Sequence, residues 1–125
     1  MPATDRAIEL ATTAAEAASD KIATTITGID VCGHLPLTDV FLIVSASTER
    51  QVGAVVDEIE DRLREEHGVK TIRREGQREG RWVLLDFGDV VVHVQHDEER
   101  EYYELARLWR DCPEIDLGVK GSDQT

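Results

Sequence analysis

The sequence predicts a single mixed α/β domain, and three observations support this prediction. A chain of 125 residues with 41% hydrophobic residues has the length of one domain, and it can bury a core without disulfides or metals. Helical and strand-like hydrophobic periodicities alternate along the chain. The elements that they predict follow the order αββαβββα, which favours helices packed on a mixed β-sheet.

The first part of the chain is predicted to form a helix followed by two strands. Thr4 can cap a helix that runs to about Ser19, since its apolar positions recur at helical spacing. Strands are predicted over Ile26–Val31 and Leu37–Ser45. The second strand is apolar on both faces, which is typical of a central position in a sheet.

A long second helix and a short strand are predicted next. Ser47 or Thr48 can cap the helix, and Gly68 is expected to end it. A short strand over Val69–Arg73 is expected near an edge of the sheet, before a polar loop at Glu75–Gly80. The buried stripe of the helix is predicted to contain Val52, Val55, Val56, Ile59 and Leu63.

A β-hairpin is the strongest local prediction. Two alternating apolar runs flank Gly88-Asp89, a residue pair suited to a two-residue turn. Because side chains alternate with period two, each face of the hairpin can be assigned from the sequence. The all-apolar face, predicted to be core, contains Val83, Leu85, Phe87, Val90, Val92 and Val94. The opposite, half-polar face contains Trp82, Leu84, Asp86, Val91, His93 and Gln95.

A last helix is predicted after the hairpin. Asp97 can cap it and Pro113 is expected to end it. We expect one domain over residues 1–112 and a loose polar tail over residues 113–125. The apolar stripe of the helix is predicted to contain Tyr102, Leu105, Ala106 and Trp109.

Charge and composition limit the classes of partner. The formal net charge of −12 argues against nucleic-acid binding through a broad basic surface. It is compatible with attraction to a basic protein, and equally with solubility alone. Two cysteines do not make a secreted disulfide framework, and no apolar run approaches the roughly 20 residues that span a bilayer. A cytoplasmic protein without membrane contact is therefore expected.

No pattern of catalytic or metal-binding residues emerges from the sequence. Asp39 has no second aspartate two residues on, and Ser45-Ala46-Ser47 lacks the glycine of a phosphate-binding loop. His93 and His96 are expected to point to opposite faces of their strand. Cys32 and His34 can share one side, but two ligands do not make a zinc site. The sequence predicts no catalytic residue, metal or cofactor.

The half-polar face of the hairpin is the candidate binding surface. A tryptophan on a strand is commonly core, yet its polar neighbours here would each need a partner if they were buried. An aromatic residue among a few oriented polar groups is typical of an interface. Arg100 can extend such a surface or pair with Glu98 or Asp97, and Tyr103 is expected to be partly exposed.

Six short motifs follow one another along the chain. They are Asp30-Val31, Leu37-Thr-Asp39-Val-Phe-Leu-Ile-Val44, Ser47-Thr-Glu-Arg50-Gln-Val52, Trp82-Val-Leu-Leu-Asp86, Gly88-Asp-Val-Val-Val-His93-Val and Arg100-Glu-Tyr-Tyr103-Glu-Leu-Ala-Arg-Leu-Trp109. As an ordered set they resemble the Iojap family, the ribosomal silencing factors. Val40 and Ser45-Ala46 depart from the family pattern, where an aromatic residue and Thr-Gly are common.

This resemblance implies a fold, a partner and a mechanism. It implies a nucleotidyltransferase-like fold, and binding to ribosomal protein fourteen of the universal set on the large subunit. The bound factor would sterically block joining of the small subunit and so repress translation. Two rival classes stay open: a metal-dependent nucleotidyltransferase-like enzyme, and a dimerising adaptor, since the same face could form a homodimer. The partner-binding residues that the resemblance implies are Trp82, Leu84, Asp86, His93, Arg100, Tyr102 and Tyr103.

Overall fold

The computed structural model describes residues 3–31, 33–35, 37–77, 80–119 and 121. In these residues the helices are α1 (Asp5–Asp20), α2 (Glu49–His67), α3 (Asp97–Tyr103) and α4 (Leu105–Leu108). The strands are β1 (Thr25–Asp30), β2 (Val40–Ala46), β3 (Arg73–Gln77), β4 (Trp82–Asp86), β5 (Val90–His96) and β6 (Glu114–Ile115).

The strands form one mixed sheet in the order β3-β4-β5-β2-β1-β6. β2 and β5 are parallel, whereas the other neighbours pair antiparallel. β2 and β5 are central, and their inward side chains are fully buried against α1 and α2. The predicted fold class, helices packed on a mixed sheet, is therefore confirmed.

The two long helices begin and end for the local reasons that the sequence indicates. The Thr4 hydroxyl accepts the N–H of Ala7 at 3.1 Å, and the Thr48 hydroxyl accepts that of Gln51 at 3.0 Å. Gly68 ends α2 in the left-handed region, with φ of 67°. The predicted stripe of α2 is confirmed, since all five of its residues are fully buried.

The hairpin of β4 and β5 has the predicted turn and the predicted core face. Phe87 N–H donates to the carbonyl oxygen of Val90 at 2.9 Å, which closes a two-residue turn at Gly88 and Asp89. The core face is buried along its whole length: Val83, Leu85, Phe87, Val90, Val92 and Val94 are between 0% and 6% exposed.

Two strand boundaries were wrong. The predicted strand at Val69–Arg73 is displaced to Arg73–Gln77, although it does lie at the sheet edge. An edge strand joined by backbone bonds to one neighbour needs no apolar pattern, so the apolar residues before it gave a misleading signal. Part of the predicted polar loop is thus strand, and its positions 78–79 lie outside the described residues. β2 begins at Val40 rather than at Leu37, whose side chain is 83% exposed.

The last predicted helix is also different from the expectation. His96, rather than Asp97, is the N-cap: its Nδ1 accepts the N–H of Glu98 at 3.1 Å. The helix is interrupted at Glu104, which takes a left-handed φ of 46°, and the helical region ends at Trp109, before Pro113. A charged residue at a left-handed position carries no recognisable sequence signal, which explains the missed break.

The tail was expected to be loose, and this is wrong for its described part. Glu114–Ile115 pairs with β1 and adds a sixth strand to the predicted order. Leu117 is 8% exposed and covers Gly28. Gly121 is buried so close to β1 that a Cβ on it would lie 2.2 Å from the carbonyl oxygen of Thr24. Residues 120 and 122–125 lie outside the described part.

Candidate functional site

The second face of the sheet is covered unevenly. Leu105, Ala106 and Trp109 pack over β1 and β2, where Ile29 and Ile43 form a small second core. On the hairpin, β5 is buried on this face, with Val91, His93 and Gln95 at 8%, 7% and 0% exposure. β4 is only partly covered. We call the partly exposed side chains of Trp82, Leu84 and Asp86, together with Tyr103, whose ring packs against Trp82 at a tilt of 48°, the β4 face.

Aromatic rings form a continuous row across this side of the sheet. Trp82 lies 4.9 Å from Tyr103 between ring centroids, and Tyr103 lies 4.9 Å from Tyr102. On the other side Trp82 approaches His93, whose ring packs edge-on against Phe41 at 5.2 Å. Phe41 was not among the residues predicted for this surface, although the period-two alternation of β2 places it on this face.

His93, on the neighbouring strand β5, fixes the orientation of the Trp82 indole. The indole Nε1–H of Trp82 donates to Nδ1 of His93 at 3.2 Å. A neutral imidazole that accepts at Nδ1 carries its proton on Nε2. Burial lowers the pKa of His93 from 6.5 to about 4, so the ring is neutral at physiological pH. With 7% exposure, His93 positions the indole and presents little surface of its own.

Asp86 lies at the other end of β4, on the same face as Trp82 and Leu84. Its Oδ1 accepts the N–H of Gly88 at 2.8 Å, which is the local hydrogen bond typical of an aspartate before a turn. This bond uses one carboxylate oxygen and fixes the side chain at the partly exposed end of the strand. Asp86 therefore has a structural role that does not prevent it from contacting a partner.

Arg100 and Tyr102 occupy different surroundings. Within the described part of the chain Arg100 makes no ion pair with Glu98 or Asp97, so the alternative capping link is not formed. Arg100 lines a cavity of about 200 Å³ together with Thr27 of β1 and Ile43 of β2, and no residue of β4 lines it. Tyr102 is 81% exposed and contacts the row only through Tyr103, which is 38% exposed as expected for a partly exposed residue.

The surface beside Tyr103 is strongly acidic. Residues 97–104 contain five carboxylates and one arginine. Arg81, which sequence reasoning missed, neutralises part of this charge through hydrogen bonds to Glu98, Glu99 and Glu49. Its hydrogen bonds to Glu99, Glu98 and Glu49 raise the pKa of Arg81, and Arg81 in turn lowers the pKa of Glu98.

Neither a metal centre nor a transmembrane helix is present in the described residues. They contain no group of three or more His, Cys, Asp or Glu side chains placed to hold an ion. No helix among them is long and apolar enough to cross a bilayer. Cys32, considered above as a ligand beside His34, lies outside the described part.

The fold and this surface define a small mixed α/β protein whose distinctive feature is a partly exposed aromatic and acidic face. The chain belongs to the family described as "Ribosomal silencing factor during starvation", whose model matches residues 4–125. The predicted resemblance is thereby confirmed.

Individual relatives agree with this assignment. The chain is 46% identical over 104 residues to a Bacillus subtilis protein named "Ribosomal silencing factor RsfS", covering 83% of this chain and 87% of the relative. It is 31% identical over 110 residues to the maize "Protein Iojap, chloroplastic", covering 88% of this chain and 47% of that one. A crystal structure of a Chromobacterium violaceum protein superposes with a TM-score of 0.76 at 32% identity, covering 91% and 93% of the two chains.

Proposed function

We propose that this protein silences ribosomes by binding the large subunit through the β4 face and sterically blocking the small subunit from joining. The observation that carries the proposal is the state of Trp82: a large indole, partly exposed, fixed by His93 on one side and by Tyr103 on the other. The names of the relatives supply the class of target. The face supplies a physical means of binding.

A fixed indole is well suited to bind a protein partner. Tryptophan and tyrosine dominate the binding energy of many interfaces, because they bury much area and lose little rotamer entropy. The hydrogen bond to His93 restrains the orientation of the Trp82 indole in the free protein. Preorganisation of this kind lowers the entropic cost of association. Leu84 adds apolar area directly beside the indole on the same face.

The charge around the β4 face favours a basic partner. Asp86 lies on the face, and the acidic residues 97–104 border it. A ribosomal protein, which must itself contact RNA phosphates, is the kind of basic surface that such a rim complements. We therefore keep ribosomal protein fourteen of the large subunit as the proposed partner.

Occupancy alone is sufficient for the proposed action. A protein bound at the subunit-joining surface excludes the small subunit by volume, so no reaction step or cofactor is invoked. The degree of inhibition should then follow the fraction of large subunits occupied, and excess small subunits should compete with the factor.

Sedimentation with purified subunits tests the proposal. The protein should pellet with isolated large subunits in a saturable manner and stay in the supernatant with small subunits. Preincubation with large subunits should reduce formation of whole ribosomes when small subunits are added. Equal pelleting with both subunits, or binding to large subunits without any effect on joining, would contradict the proposal.

A further inference from the structure

Arg81 connects two helices to the start of β4. Its Nε donates to Glu99 Oε1 at 3.0 Å and its Nη2 donates to Glu98 Oε1 at 2.5 Å, both in the first turn of α3. Its Nη1 donates to Glu49 Oε1 at 3.2 Å, at the start of α2. We call these four residues the Arg81 cluster.

The backbone of Arg81 also contacts α3, at its N-cap. Its carbonyl oxygen accepts the N–H of His96 at 2.7 Å, and His96 is the N-cap of α3. Arg81 is thus hydrogen-bonded to α3 and its N-cap through both its main chain and its side chain. Glu99 is only 6% exposed, so the carboxylate end of this pair is less open to solvent and to screening by salt than an ordinary surface pair.

The cluster is placed to control the ring of Tyr103. Glu99 and Tyr103 are four residues apart on α3 and therefore lie on the same side of the helix. Arg81 directly precedes Trp82, against which the ring of Tyr103 packs at 4.9 Å between centroids. A helix of seven residues is too short to be stable by itself, so its position depends on contacts such as these.

We propose that Arg81 is a positioning residue of the binding face: its bonds to Glu98 and Glu99 fix α3 so that the ring of Tyr103 remains packed against Trp82. The claim about the partner rests on the proposed function, whereas the claim about the free protein does not. Arg81 need not touch the partner. Its effect on binding passes through Tyr103 and Trp82.

The first test reports on the free protein. In a Trp109→Phe background Trp82 is the remaining tryptophan, and its fluorescence reports on whether the Tyr103 ring still packs against it. Arg81→Gln removes the positive charge and the guanidinium that donates to three carboxylates. This variant should shift the emission of Trp82 to longer wavelength, in the same direction as Tyr103→Ala. Arg74→Gln is the matched control, because Arg74 pairs with Glu60 of α2, away from α3, and should cause no shift.

The second test measures coupling in the complex. Arg81→Gln should weaken binding to large subunits by about fivefold, and Arg81→Lys should restore part of the loss. The double variant with Tyr103→Ala should bind about as weakly as Tyr103→Ala alone, because both changes remove the same contact between Tyr103 and Trp82. If the loss of affinity in the double variant equals the product of the two single losses, Arg81 acts independently of Tyr103 and the inference is overturned.

The two tests separate the possible failures. An unchanged emission in Arg81→Gln overturns the positioning role, even where Trp82→Ala abolishes ribosome binding and the proposed function stands. A shifted emission together with normal ribosome binding by Trp82→Ala supports the positioning role and contradicts the proposed function. Thermal melts of each variant confirm folding, and Arg81→Lys provides both readouts if Arg81→Gln melts early.

Discussion

Trp82 and His93 are joined by a hydrogen bond across neighbouring strands, with 3.2 Å between the indole Nε1 and the imidazole Nδ1. This single contact orients a partly exposed aromatic ring and selects the tautomer of a buried histidine. It also requires the histidine to remain neutral, since a protonated imidazole has no acceptor nitrogen.

The stability of the protein should therefore depend on pH through His93. Burial lowers the pKa of His93 from 6.5 to about 4, so between these values the unfolded chain binds a proton that the folded chain does not. Stability is complete above the unfolded value and falls as the pH drops towards the folded value. From about pH 7.5 to about pH 5, His93 should account for a loss of about 2 kcal/mol in the free energy of unfolding.

Urea unfolding of the parent and of His93→Gln at both pH values measures this loss. Glutamine can still accept the indole N–H but does not titrate, so the variant should lose less stability on acidification. Carboxylates titrate alike in both proteins and cancel in the comparison. Equal losses in parent and variant would show that His93 is not the buried neutral group described here.

Leu85 and Leu84 are neighbours of the same type on opposite faces of β4, which makes them a matched pair. Leu85 is fully buried, so Leu85→Ala should cost about 2–5 kcal/mol of stability by leaving a closed cavity. Leu84→Ala should cost clearly less, because its site is partly open, but it should weaken large-subunit binding. Thermal melts and sedimentation of both variants check this, and a larger stability loss for Leu84 would reverse the assigned faces.

The tail should contribute to folding. Leu117 is 8% exposed and lies over Gly28 of β1, so Leu117→Ala should lower the free energy of unfolding by about 2 kcal/mol. Leu108→Ala is the control, since Leu108 is 73% exposed and should change stability little. Chemical denaturation measures both. Equal effects would mean that the tail does not pack on the sheet.

The parts of the fold that were predicted correctly are those with a strong periodic signal. Val83, Leu85 and Val92 fill one face of a hairpin with a recognisable turn, and Val52 to Leu63 follow a clear helical stripe. β3 was misplaced because a charged edge strand is held by backbone bonds that leave no pattern in the side chains.

The candidate site was only partly predictable for a similar reason. Strand parity placed Trp82, Leu84, Asp86 and His93 on one face, as the structure confirms. Parity does not tell which part of a face a helix will cover, and here α3 and α4 leave β4 exposed while His93 is buried. The break at Glu104 and the Arg81 cluster depend on tertiary contacts between distant segments, so no local pattern indicated them.

The charge of the protein should affect how fast it finds the ribosome. A chain of formal charge −12 with an acidic rim should associate with a basic partner more slowly as salt rises, because ions screen long-range attraction. Stopped-flow mixing with large subunits at two salt concentrations measures the association rate. A rate that does not change with salt would contradict electrostatic steering and leave the contact surface itself untouched.

The most direct measurement is the affinity of Trp82→Ala for isolated large subunits, taken together with its thermal melt. Trp109→Phe is the control, because the ring of Trp109 packs against Phe41, at the covered end of the aromatic row. We predict a variant that stays folded, binds large subunits more weakly by about 2 kcal/mol or more, roughly thirtyfold, and no longer blocks joining of the small subunit. A folded Trp82→Ala protein that binds and blocks as the parent does would contradict the account.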